Sequence, residues 1–213
     1  MRKTDERYQA YINILKEELI PAMGCTEPIA LAYAAAVGRK TLGELPDKVV
    51  VEASGSIIKN VKSVVVPNTG HMKGIEVAAA AGIVAGDPDK ELEVIAQVTP
   101  EQVGEIKEFL GRTEMEVLLA DSGLTFDIIV TMYKGEDYSR VRIANYHTNV
   151  VLIEKNGQVL KDVPVAGESE EGLTDRSLLD MANIWDFVNT VDVEDIKPVL
   201  QVQESYNWAI AQE

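Results

Sequence analysis

Phe126-Asp127-Ile128-Ile129-Val130-Thr131-Met132-Tyr133 decides the fold class. Phe126, Ile128, Val130 and Met132 alternate with Asp127, Thr131 and Tyr133, the period of two that a half-buried strand requires. The alternation returns at Arg140-Val141-Arg142-Ile143, with the arginines expected on a solvated face, and Val150 to Ile153 reads as a short apolar strand. Asn156-Gly157 between Leu152-Ile153 and Val159-Leu160 predicts a type I′ hairpin, since both residues tolerate positive φ. Residues 114–165 are therefore expected to form an antiparallel meander.

Upstream of the meander the period is helical. Tyr8, Ile12, Leu15 and Leu19 line one face of a helix predicted over Thr4 to Leu19, which Pro21 ends. An alanine-rich helix follows from about Pro28 to Arg39, with Thr26 or Glu27 as its expected N-cap. Strands are predicted at Val49-Val50-Val51, Val64-Val65-Val66 and Glu93 to Val98. The first is closed by a turn at Ser54-Gly55-Ser56. Pro67-Asn68-Thr69-Gly70 is expected to be a tight loop opening a helix from His71 to about Val84. Thr99-Pro100-Glu101-Gln102 is a capping box that starts another helix, ending at Gly111.

Downstream, Gly167 to Gly172 reads as an acidic linker. Two helices follow, one with Leu178, Met181, Trp185 and Val188 on its face, the other with Val199, Val202, Tyr206 and Ile210. Pro198 either starts the second or kinks it. The whole predicts one α+β unit over residues 1–213: helices packed on a mixed sheet with an antiparallel meander, closing with two helices. The last helix carries no stop signal before Glu213, so we expect the N-terminal portion of something longer.

The composition narrows the function classes. With 213 residues and 46% hydrophobic content, the chain can bury a proper core. A net charge of −15 argues against nucleic acid or an anionic membrane as partner, because both are polyanions. There is no long apolar run and no secretory leader pattern, and the one cysteine forms no internal disulfide; a cytoplasmic location is the expectation. Phosphate-loop, dinucleotide, zinc-protease and nucleophile-elbow patterns are missing.

What remains is Cys25, set just before the alanine-rich helix in Met23-Gly24-Cys25-Thr26-Glu27-Pro28. At the positive end of a helix a thiol has its pKa lowered, and a reactive thiolate is one reading; a small buried hydrophobe is the other. Asn68-Thr69-Gly70 offers a second helix start where backbone N–H groups could hold a carboxylate, or an ordinary cap. His147, in Tyr146-His147-Thr148-Asn149, reads as a strand-end histidine.

Gly24-Cys25-Thr26-Glu27-Pro28-Ile29-Ala30-Leu31-Ala32, Ile58-Lys59-Asn60 and Val66-Pro67-Asn68-Thr69-Gly70, leading into an alanine-rich helix that ends at Gly86-Asp87, together resemble the L-cysteine desulfidase family, the serine dehydratase alpha-chain-like group. The resemblance implies a lyase that converts L-cysteine to pyruvate, ammonia and sulfide by β-elimination. It also implies a [4Fe–4S] cluster in the complete enzyme, held by cysteines of a C-terminal half that this chain lacks, so that the missing half or a partner chain completes the site. On this resemblance Cys25 is the base or an exchangeable cluster ligand. Thr26, Asn60, Asn68, Thr69, Gly70 and His147 hold the small amino-acid substrate. L-serine as substrate and a non-catalytic amino-acid-binding regulatory module are the alternatives, and a homo-oligomer is open.

Overall fold

A computed structural model of the chain describes residues 1–19, 22, 24–165 and 174–211. The elements in order are helices α1 (Glu6–Glu18) and α2 (Thr26–Leu42), strand β1 (Lys48–Ala53), and helices α3 (Gly55–Val61), α4 (Ile75–Ala85) and α5 (Pro100–Arg112). Strands β2 (Glu114–Leu119), β3 (Asp127–Lys134), β4 (Asp137–Ala144), β5 (Val150–Lys155) and β6 (Gln158–Asp162) follow, then helices α6 (Met181–Thr190) and α7 (Val193–Ala211). The fold is α+β, with one six-stranded mixed sheet in the order β2-β1-β3-β4-β5-β6. Among the described residues no helix is long and apolar enough to cross a membrane.

The chain sorts into two compact units rather than the one unit expected over 1–213: residues 22–166, and the two chain ends, 1–21 with 167–213. The expected acidic linker at 167–172 lies outside the described residues.

In the larger unit the sheet is antiparallel except for β1 against β2. The meander therefore begins at β3 rather than at Glu114, and β2 is a parallel edge strand. Val49, Val51, Ala53, Ile128, Val130, Met132, Val141 and Ile143 point to one face and are buried. α2 lies on that face. It is buried almost from end to end because its alanines let two neighbours approach at once. On the sheet side, Ser139 Oγ donates to the Gly38 carbonyl at 2.9 Å. On the other side, α4 crosses so closely that a Cβ on Gly82 would sit 2.0 Å from the Ala32 carbonyl oxygen.

Local signals held where the chemistry is local. Thr99 and Gln102 form the predicted capping box. Asn156 and Gly157 both have positive φ, 51° and 80°, as a type I′ turn requires. Two predicted strands did not form. Val64–Val66 makes only an isolated bridge, Val65 to Lys73, because β1 already has β2 and β3 as neighbours. Residues 93–98 follow a 3₁₀ turn (Pro88–Glu93), and Val94 and Ile95 are buried there without a strand partner. The expected Ser54-Gly55-Ser56 turn is instead the N-terminus of α3, with Ser54 as N-cap. The meander arginines are not a solvated face either. Arg142 binds the fully buried Asp127 carboxylate through two bonds of 2.9 Å, and Arg140 Nε donates to Thr131 Oγ1 at 3.2 Å.

The smaller unit is helical. Tyr8, Tyr11, Ile12 and Ile14 of α1 pack with Phe187 of α6. The Phe187 ring meets Tyr8 and Tyr11 edge-on at 5.7 and 5.2 Å between centroids. Both hydroxyls are satisfied: Tyr8 donates to Asp195 and Tyr11 to the Leu178 carbonyl. The inward face of α6 is thus Ile184 and Phe187, and the predicted stripe of Met181, Trp185 and Val188 faces out. Both stripes have helical spacing, and the α1 tyrosines select the one that carries Phe187. Pro198 lies inside α7.

Candidate functional site

The site is built on the first turn of α2. Cys25 itself is the N-cap, with extended φ and no side-chain capping bond, and Thr26 is the first helical residue, so neither Thr26 nor Glu27 caps the helix. The Cys25 thiol turns forward along the turn and donates to Glu27 Oε2 at 3.0 Å. From α3, Asn60 Nδ2 donates to the other oxygen, Glu27 Oε1, at 3.2 Å. The Thr26 hydroxyl sits 3.5 Å from Glu27 Oε2. His147, in the β4–β5 connection, is half-buried, stacks edge-on against Phe126 at 4.6 Å between ring centroids, and feels the Glu27 charge.

Glu27 is therefore the hub of the cluster. Sequence reasoning quoted it in the motif without giving it a site role. The signal that could have found it is its place on the first helical turn beside Cys25, where an acid complements the helix dipole.

The electrostatics reverse the expectation for Cys25. Burial of the thiol, and then the adjacent Glu27 carboxylate, push it up from 9.0 to about 11, so it carries its proton at neutral pH. The helix end does not make a thiolate here, because the nearest full charge is negative. Burial would raise the Glu27 carboxyl. The donors Cys25, its own backbone N–H and Asn60, with the His147 charge, outweigh that and leave it below its ordinary value. Burial lowers His147, partly offset by Glu27, so its imidazole is neutral near pH 7. The cluster at neutral pH is an ionised carboxylate held by a thiol and an amide, with a neutral imidazole nearby.

The Asn68-Thr69-Gly70 loop makes bonds of its own. It does not open a helix, since α4 begins at Ile75 with Gly74 as N-cap. Thr69 is fully buried and its hydroxyl donates to the Val66 carbonyl at 2.7 Å. Asn68, at φ 57°, donates to the Ile95 and Ala96 carbonyls and stitches the 93–98 segment to the loop. Gly70 has φ 67°, and a Cβ there would also press on Val103 at 3.3 Å. The loop's link to the cluster is Pro67, whose Cγ would lie 3.4 Å from a Cβ on Gly24.

An iron–sulfur cluster takes three or four thiolates. The chain has one thiol, and among the described residues no three His, Cys, Asp or Glu side chains converge to hold a metal ion. The residues of this chain do not fit such a group by themselves.

The chain is similar to proteins named UPF0597 protein from several bacteria. One from Desulfitobacterium hafniense (strain Y51) is 54% identical over 99% of this chain and 49% of the relative. One from Treponema denticola is 43% identical over 97% of this chain and 48% of the relative. A third, from Fusobacterium nucleatum, is 43% identical over 98% of this chain and 49% of the relative. The chain spans about half the length of the curated relatives it matches. No family model and no solved structure matches it.

Proposed function

We propose that this chain is the substrate-binding portion of a lyase that performs β-elimination on a small amino acid, L-cysteine in the first instance. The observation that carries this reading is the Glu27 carboxylate on the first turn of α2, held by donors from Cys25 and Asn60, with its charge felt at His147. An ionised carboxylate presented this way attracts the α-ammonium group of an amino acid, and the polar residues around it orient the remainder. The resemblance to L-cysteine desulfidases supplies the reaction. The proton on the substrate's Cα passes to a base, its electron pair forms the Cα–Cβ double bond, and the C–S bond breaks with sulfide leaving. Water then hydrolyses the enamine to pyruvate and ammonia.

Within this cluster Glu27 is the group able to accept a proton at neutral pH, while Cys25 donates one. Cys25 and Glu27 thus act as one proton-holding pair, and neutral His147 is a further donor or acceptor. The iron–sulfur dependence belongs, on this reading, to the portion found in relatives twice this length or to a partner chain. A reducing, cytoplasmic setting accords with the free thiol.

The protonated state of Cys25 favours a second reading, a non-catalytic amino-acid-binding module. One assay separates them. The full-length Desulfitobacterium relative, purified anaerobically, is given L-cysteine and L-serine, and pyruvate and sulfide are measured. Release from L-cysteine that falls at least about tenfold when the residue aligned with Cys25 is changed to alanine supports the lyase. Calorimetric binding of the amino acid to both proteins with no product supports the module. Neither binding nor turnover overturns both.

A further inference from the structure

We infer that the outward face of α6 is the docking surface for the other half of the protein as it occurs in the longer relatives. Met181, Trp185 and Val188 recur at spacings of four and three on one side of α6 and are 81%, 72% and 63% exposed. Leu179 just before the helix and Val193, the first residue of α7, are exposed as well. Single exposed apolar residues are ordinary, but a tryptophan, a methionine and a valine on one continuous helical face are not a solvated arrangement. Helix faces of this kind bury against a partner, with the tryptophan as the expected anchor.

The occupant follows from length. Relatives 54% and 43% identical to this chain match it with only 49% and 48% of their sequence, so each carries about as much protein again that is not represented here. That second portion must pack somewhere, and this helix offers an apolar face already formed without it. Inside the smaller unit α6 is fully employed on its opposite side by Phe187 against Tyr8 and Tyr11, so the outer strip is not needed for the unit's own core. The inference rests on the proposal of a second portion, and not on lyase chemistry.

The test uses the half of the Desulfitobacterium relative that lies outside the matched region, produced as a separate chain shown by circular dichroism and a cooperative melt to be folded, mixed with this chain. Binding is read by calorimetry and by the blue shift of tryptophan emission. The inference expects a complex that Trp185→Glu and Val188→Glu each weaken at least about tenfold. Leu160→Glu, on the exposed face of β6, should leave it unchanged. Both α6 substitutions are at exposed positions, and circular dichroism confirms that the variants remain folded. The absence of a complex would overturn the inference, as would a complex indifferent to both α6 variants. So would self-association of the chain that Trp185→Glu abolishes, because a second copy would then be the occupant. Amino-acid turnover is not the readout, so failure of the lyase reading leaves this result standing.

Discussion

Cys25 Sγ lies 3.0 Å from Glu27 Oε2, so the thiol and the carboxylate two residues on form a donor–acceptor pair across the first turn of α2. The pair decides the protonation state of the cluster. Glu27→Gln removes the negative charge and leaves the burial, so Cys25 should titrate below about 11 but still above its ordinary 9.0. The rate of alkylation by iodoacetamide against pH, or thiolate absorbance in the ultraviolet, reads this directly. An unmoved profile would mean that burial alone holds the proton.

His147 should make the protein sensitive to mild acid. Its folded-state pKa is lowered by burial, so below the unfolded value of about 6.5 the unfolded chain binds the extra proton first and stability falls as pH falls. Glu27 acts lower: its carboxyl is also depressed, so its contribution is present above 4.5 and is lost as pH drops below that. Urea midpoints measured from pH 7.5 to 5 should decline in the native protein. They should decline less in His147→Gln.

Two glycine-to-alanine substitutions should act in opposite directions. At Gly82 the added methyl would meet the Ala32 backbone at 2.0 Å, so α4 and α2 must move apart, at a cost of at least about 1–3 kcal/mol. At Gly104, inside α5, nothing lies within 4 Å, and the gain in helix propensity should be about 0.5–1 kcal/mol. Thermal melts of the two variants provide the check. A Gly82→Ala protein as stable as the native one would contradict the close crossing.

Arg142→Met should destabilise strongly, because it leaves the Asp127 carboxylate buried without its cation. The expected loss lies toward the lower end of about 3–5 kcal/mol, since the Arg142 side chain is itself partly exposed. Adding Asp127→Asn should restore part of it. Equal losses in the single and double variants would show that the charge is not the cause.

Much of the fold was legible in the sequence, and the parts that were share one property. The Thr99–Gln102 capping box, the Asn156-Gly157 turn and the alternation from Ile128 to Met132 are each set by residues within a few positions of one another. Cys25 and Asn60 share the Glu27 carboxylate, and His147 feels its charge, but Glu27 carries no site signal in the sequence beyond its place on the first helical turn. Thr69 ties its own loop through the Val66 carbonyl, and Asn68 joins that loop to residues 95–96.

Local capping, turn chemistry and hydrophobic period were thus determined by the sequence alone. Tertiary structure decided everything that needed a choice among partners. Val64–Val66 and residues 93–98 have strand-like composition but pair with no strand of the sheet, and Val65 makes only a bridge to Lys73. α6 has two apolar stripes, and only the tyrosines of α1 determine which turns inward. Cys25 sits at a helix N-terminus that should acidify it, yet burial and the Glu27 carboxylate lie closer than the dipole can compensate. A residue's neighbours along the chain fix its conformation. Its neighbours in space fix its charge, and here those came from α2, α3 and the β4–β5 connection together.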